Sequence, residues 1–340
     1  MAEEQGRTRI IDPDVKKVSG EKYIILFNKR TGVEVMSGIN GAPDPFVLEM
    51  PSMIDIGIMG RCFNKCPMCY QGSVEQDNMK LEHYKKLIYD VKDYVNQVAL
   101  GGRGDPNHHE NFKELIEFTK AHGVAPNYTT SGINMTDQMI EDSKPCGGVA
   151  VSDYSKDHTF SAIDRLIKAG IKTNMHKIFS RHSADECIRA IQGEDVWNNM
   201  IDLNKLNAVV FLLFKPQGKG KNLLDWIPTE DQIKRFSEAI KDQKCKFKIG
   251  MDSCTVCGLK RVGRKFSKME EMMLDTCEAA RMSCYITPDM KLIPCSFSNH
   301  EKEGVSLLDT PFKDVWSSGK SFLNFREKLE KNPNSCPLGF

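Results

Sequence analysis

From residue 53 to about residue 242, short apolar runs alternate with segments of helical period, and this alternation constrains the fold more than any other feature of the chain. The runs SMIDIGIM (52–59), QVALGG (97–102), VAPNYTTSG (124–132), GGVAVSD (147–153), IKTNMHKIFS (171–180) and NAVVFLLF (207–214) have strand length and composition. Between the first two, Leu81, Tyr84, Leu87, Ile88, Val91 and Val95 recur at three- and four-residue intervals, which lines up one buried helix stripe. Thr229 and Gln232 have the spacing of a capping box, so a helix is expected to start there. Strands alternating with helices make βα units, and right-handed crossovers wind them into one parallel sheet. The expectation is an α/β protein built on a partial (β/α)6 TIM-like barrel, with its site in the loops at the C-terminal ends of the strands.

Bulk properties narrow the function. Lys and Arg number 47 against 46 Asp and Glu, and a net charge of +1 offers no field that would gather nucleic acid or anionic lipid. The N-terminal MAEEQGRTRIIDPDVKK lacks the apolar core of a signal peptide, and no stretch of about 18 apolar residues spans a membrane. The reading is a soluble cytoplasmic protein without a membrane partner. In that compartment thiols stay reduced, so the 12 cysteines point to metal or cluster ligation rather than a disulfide framework. Three regions are expected: an extension over 1–50 with a hairpin turned at Lys29 to Gly32, a core over 51–245, and a cysteine-dense module over 246–340.

Directly after the first core strand stands Gly60-Arg61-Cys62-Phe63-Asn64-Lys65-Cys66-Pro67-Met68-Cys69-Tyr70, three thiols spaced CxxxCxxC on one loop. A [4Fe–4S] cluster ordinarily takes four cysteine ligands, so a three-thiol site leaves one iron open to an outside ligand. Zinc would want a fourth ligand nearby, and neither Cys nor His occurs in the next ten residues.

This loop resembles that of the radical S-adenosylmethionine superfamily. The resemblance implies that Cys62, Cys66 and Cys69 hold a [4Fe–4S] cluster whose open iron is chelated by S-adenosylmethionine, which is cleaved reductively to a 5′-deoxyadenosyl radical. Gly101-Gly102-Arg103-Gly104-Asp105-Pro106 stands where the family usually carries GGEP, with Arg103 at the glutamate position and Asp105 as a substitute carboxylate. By the same likeness Ser131 in the TTSG turn, Ser152 at the end of the fourth strand and Met68 are cosubstrate contacts, while Arg181, whose rigid fork matches a carboxylate bidentately, reads either as a partner of the cosubstrate carboxylate or as a solvated surface arginine. Ser131 and Ser152 also suit ordinary turns and caps. His176 alternates with apolar neighbours and reads as a hydrogen-bonded core histidine, while His108 and His109 open a helix in a structural or capping role.

Past residue 250 the βα rhythm stops, and six of the 12 cysteines follow: Cys254, Cys257, Cys277, Cys284, Cys295 and Cys336. The hairpin ending Pro294-Cys295 and the later Trp316 helix resemble the auxiliary-cluster modules called SPASM and, when shortened, twitch. That likeness implies one auxiliary [4Fe–4S] cluster on Cys277, Cys295 and Cys336, with Cys254 favoured over Cys284 for the fourth place. A zinc site using Cys254 and Cys257 stays open. A family consensus puts glycine where this chain has Met290, which is expected to alter the hairpin turn. Cys146, Cys187 and Cys245 read as ordinary thiols, one of which, near the barrel mouth, would suit a hydrogen donor in an epimerase.

What the resemblance implies about activity is radical modification of a ribosomally made peptide by crosslinking, epimerisation or oxidation, fed by a flavodoxin- or ferredoxin-type electron donor. The alternatives are a small-molecule dehydrogenase or epimerase of the twitch type, such as one acting on amino sugars, and a non-catalytic iron–sulfur or zinc protein.

Overall fold

The computed structural model describes residues 12–71, 75–197 and 199–339. It divides into two units, the first ending at Phe46 and the second starting at Val47. In the first, β1 (Val15–Ser19), β2 (Tyr23–Asn28) and β3 (Glu34–Gly38) form an antiparallel sheet in that order. The expected hairpin is β2–β3, where the Asn28 side-chain oxygen accepts from the backbone N–H groups of Arg30 and Thr31 and Gly32 takes φ +77°.

The second unit runs β4 (Met53–Met59), α1 (Leu81–Val91), β5 (Gln97–Gly102), α2 (Phe112–Ala121), β6 (Ala125–Thr130), α3 (Asp137–Asp142), β7 (Gly148–Ser152), α4 (Asp157–Lys168), β8 (Thr173–Phe179), α5 (Ala184–Ile191), β9 (Ala208–Leu213) and α6 (Glu230–Lys241). It continues through β10 (Ile249–Met251), α7 (Ser253–Arg261), α8 (Lys268–Met273), β11 (Ser283–Ile286), β12 (Lys291–Ile293), α9 (His300–Glu303), β13 (Val305–Ser306), α10 (Phe312–Ser318) and α11 (Lys320–Lys331). One sheet has the order β10-β9-β8-β7-β6-β5-β4-β11-β12-β13. The six expected strands are its parallel centre, in chain order, and the α/β partial-barrel reading holds. Two further parallel strands extend it: β10 beside β9, and β11 beside β4 in the register Tyr285↔Asp55.

Alternation along the strands separates the two faces. Ile54, Ile56, Ile58, Val98, Leu100, Val149, Val151, Met175, Val209 and Phe211 are buried on the face carrying the helices. Asp55, Gln97, Ala99, Gly101, Asn127, Ser152, Asn174, His176 and Val210 occupy the concave face and are only partly buried. His176 therefore lies on the concave face, paired in register with Ser152 and Val210, rather than in the outer core where Met175 and Lys177 pack. The α6 capping box forms as read, with Gln232 N–H donating to Thr229 Oγ1 and Thr229 N–H to Gln232 Oε1.

The C-terminal helices are fastened to the start of this unit by Trp316. Its indole is 1 % exposed and its Nε1–H donates to the Leu48 carbonyl at 3.0 Å. The Arg326 guanidinium lies 4.8 Å from the ring, and its Nε donates to Ala280 O at 2.7 Å. Trp316→Ala is expected to cost about 3–5 kcal/mol, the range for deleting a large buried aromatic, read as a lowered urea midpoint against wild type.

Candidate active site and cysteine clusters

Met59 ends β4 at the C-terminal rim of the sheet, and the three-cysteine loop starts there. The loop is clamped from three directions. Arg103 donates to Gln71 O at 2.7 Å, so the residue in the usual glutamate position binds loop backbone. Lys219 N–H donates to Cys69 O at 2.8 Å, and Gly218 makes this approach possible because a Cβ there would sit 2.2 Å from Tyr70 O. From the C-terminal segment, the Phe297 ring packs 4.5 Å from Tyr70, and the Tyr285 hydroxyl accepts from Gln71 Nε2.

Cys62, Cys66 and Cys69 are half-buried and lie within electrostatic reach of one another. Burial pushes the Cys62 and Cys66 thiols up, and each neighbouring thiolate adds to this. A Tyr154 hydrogen bond to Cys66 acts the other way. A bound cation reverses such an upward push by stabilising the thiolates, so the donor set fits a cluster.

Asp105 lies beside the loop, close enough to raise Cys62 and Cys66 further. Its carboxylate accepts from both the backbone N–H and the hydroxyl of Ser131, tying the turn after β6 to the glycine-rich edge of β5. Burial raises the Asp105 pKa against the opposing pull of those two bonds. Within that edge the two glycines differ. A Cβ on Gly102 would lie 2.5 Å from the Tyr285 hydroxyl and one on Gly57 2.2 Å, so that phenol occupies the notch between them. Gly101 has nothing within 4 Å of the same position and faces open space.

Met68 lies in the cysteine loop against Gly220. Ser152 ends β7 on the concave face. Arg181 is exposed, and its Nε donates to Ile227 O at 3.1 Å. His108 and His109 make structural bonds, to Ile133 O and Met79 O respectively.

A second group of thiols gathers where α7, the segment before β11, the loop after β12 and the C-terminal tail meet. Cys254, Cys277, Cys295 and Cys336 each fall within electrostatic reach of others in this group. Burial pushes Cys254 and Cys277 well up and Cys295 up to about 12. Cys284 pairs in register with Ile54, which puts it on the helix-covered face, and its charged neighbours are Asp55 and Arg326. Cys257, one turn along α7, accepts from the Cys277 backbone N–H. Among the described residues no three Cys, His, Asp or Glu side chains converge as they would around a single ion.

Sequence reasoning passed over two charged groups here. Asp55 lies on the concave face of β4 near Tyr70 and Tyr285, and burial pushes its pKa up to about 7. Lys215 follows β9 and pairs with Asp252. Both stand inside apolar runs, IDIGIM and LLFKP, and a charge in such a run was the available signal.

The Asp55 environment has a stability consequence. The native state keeps this proton up to about pH 7, while an unfolded aspartate releases it near pH 4. Wild type therefore loses stability as pH rises through that window and no further above it. Asp55→Asn removes the loss, so its stability advantage over wild type is expected to be greater at pH 8 than at pH 5. Each pKa unit is worth about 1.4 kcal/mol, and urea unfolding at the two pH values measures the difference.

No family model matches the chain. Mycofactocin maturase MftC of Mycolicibacterium smegmatis is 22 % identical over 303 residues, covering 82 % of this chain and 74 % of that protein. The crystal structure of Streptococcus suis SuiB bound to S-adenosylmethionine superposes with a TM-score of 0.74 at 14 % identity, over 94 % of this chain and 91 % of that one. SuiB bound to its precursor peptide SuiA gives 0.71 at 14 % identity, over 93 % and 90 %. Native anSMEcpe with bound AdoMet gives 0.57 at 15 % identity, over 79 % and 81 %. No helix among the described residues is long and apolar enough to cross a membrane. Over most of its length the chain shares the fold of these solved structures, with the three-thiol loop at the C-terminal rim of its parallel strands.

Proposed function

We propose that this protein is a radical S-adenosylmethionine enzyme that modifies a ribosomally made peptide. The observation that carries the reading is the pair of cysteine groups within one unit, whose segments meet through the Tyr70–Phe297 contact. Cys62, Cys66 and Cys69 would hold the [4Fe–4S] cluster that, when bound, reduces S-adenosylmethionine and releases the 5′-deoxyadenosyl radical. Cys254, Cys277, Cys295 and Cys336 would hold an auxiliary [4Fe–4S] cluster. Cys254 would take the fourth place, a choice supported by its reach to Cys295 and Cys336 and by the position of Cys284 on the helix-covered face of β11.

The chain's own residues prepare the site. Asp105 fixes the Ser131 turn beside the open edge at Gly101, where a methionine amino group has room to approach. Met68, Ser131 and Ser152 stand around the same rim as cosubstrate contacts. Arg181 joins them once its bond to Ile227 O is exchanged for a carboxylate. Tyr285 seals the seam between β4 and β5. Asp55, uncharged through burial up to about pH 7, gives the concave face a proton carrier inside a largely apolar strand.

Low-potential electrons would come from a flavodoxin- or ferredoxin-type protein in the cytoplasm. The peptide assignment draws on MftC, named a maturase, and on SuiB, seen with a precursor peptide. A second reading, a small-molecule dehydrogenase, draws on the likeness of the cysteine-dense segment to the twitch-type module. Co-expression with a short peptide encoded beside the gene, followed by mass spectrometry, separates them. A mass change in the peptide that needs an intact Cys69 supports the first reading. An unmodified peptide, together with turnover of an amino sugar, supports the second.

A further inference from the structure

Lys215 stands just past the end of β9 and Asp252 at the head of α7, directly after β10, so adjacent parallel strands deliver a cation and an anion to one spot. Lys215 Nζ lies 2.6 Å from Asp252 Oδ2, and the lysine side chain is 6 % exposed. The other Asp252 oxygen caps α7 by accepting from Thr255 N–H at 2.8 Å, which holds the carboxylate in place. The same Nζ lies 4.5 Å from the centre of the Phe297 ring. Cys254 follows Asp252 by two residues and Phe297 follows Cys295 by two, so the ammonium is lodged between the segments bearing two of the four gathered thiols. It is close enough to influence the ionisation of both. His176 also faces Asp252, and burial keeps it uncharged near neutral pH.

Withdrawing an ammonium and a carboxylate from water costs several kcal/mol per ion, and such a pair is often replaceable by apolar groups without loss of stability. Fold stability alone therefore gives little reason for Lys215. Cluster potentials, in contrast, respond to local charge and solvent exposure, and charges act strongly where water is excluded. We propose that Lys215 is a positioning residue that sets the reduction potential of the auxiliary cluster, its ammonium favouring the reduced, more negative state and Asp252 offsetting part of that effect. This rests on the assignment of Cys254, Cys277, Cys295 and Cys336 as that cluster's ligands.

The test uses full-length protein reconstituted anaerobically, as wild type, Lys215→Met, Lys215→Arg and Asp252→Asn. Iron and sulfide are counted first; the protein is then titrated potentiometrically with dithionite and followed by electron paramagnetic resonance. Lys215→Met is expected to lower the reduced-to-oxidised ratio of the auxiliary cluster at fixed potential at least tenfold, a negative shift of 59 mV for a one-electron couple. Lys215→Arg stays near wild type, Asp252→Asn shifts in the positive direction, and the other cluster is unmoved in all three. A Lys215→Met potential equal to wild type overturns the proposal, as does a shift of the same sign in Lys215→Met and Asp252→Asn, which a packing defect would produce. If Lys215→Met fails to hold the second cluster, Asp252→Asn decides alone: a positive shift supports the proposal, and no shift or a negative one overturns it. Wild type loading only one cubane removes the ligand assignment itself, which separates that failure from this one.

Discussion

Cys69→Ala protein is expected to form no 5′-deoxyadenosine above background, although it folds and keeps its auxiliary iron. The loop around Cys69 is held by contacts that the substitution leaves in place: Lys219 bonds the Cys69 carbonyl, Arg103 bonds Gln71 O, and Phe297 packs on Tyr70. What disappears is one of three thiolates for which the loop offers no substitute, since neither Cys nor His follows within ten residues. Liquid chromatography with mass spectrometry after reduction measures the nucleoside. Cys146→Ala, which removes a thiol from the turn before β7, serves as the control and is expected to retain full cleavage.

The second large effect is that of Cys295→Ala, and it is of a different kind. Cys295 lies in the buried group with Cys254, Cys277 and Cys336, and its loop meets the first cysteine segment through Phe297 packed on Tyr70. Iron should fall from about two cubanes per chain to about one. Cleavage of S-adenosylmethionine should persist while conversion of substrate stops, so deoxyadenosine accumulates without product. Iron analysis and paired quantification of nucleoside and product give the result. Equal loss of both would mean that the two clusters are not separable in function.

Much of this was legible in the sequence. The core strands declared themselves because each is an apolar run bounded by turn residues. The first was read as 52–59 and is Met53–Met59, and the α6 capping box was read to the residue. β1 escaped notice because VKKVS has the composition of a polar surface segment and gains its strand from pairing with β2. The pairing of β11 with β4 joins residues more than two hundred positions apart, a contact that no local pattern encodes.

At the site, the three cysteines were legible by spacing, but what surrounds them was not. The glycines at 57 and 102 were visible without the Tyr285 hydroxyl that requires them. Arg103 read as a lost carboxylate, and the structure gives it the backbone of the cysteine loop instead. Met290 was expected to alter the hairpin turn. The chain keeps the left-handed conformation a glycine would take, φ +63°, and the methionine side chain is buried, 3 % exposed.

The proposed role of the Cys62, Cys66 and Cys69 loop is to initiate radical chemistry. It is tested most directly by reconstituting the wild-type protein anaerobically, verifying its iron and sulfide content, adding dithionite and S-adenosylmethionine, and measuring 5′-deoxyadenosine over time. Steady formation that depends on reductant is expected. Fully loaded protein that forms none would contradict it.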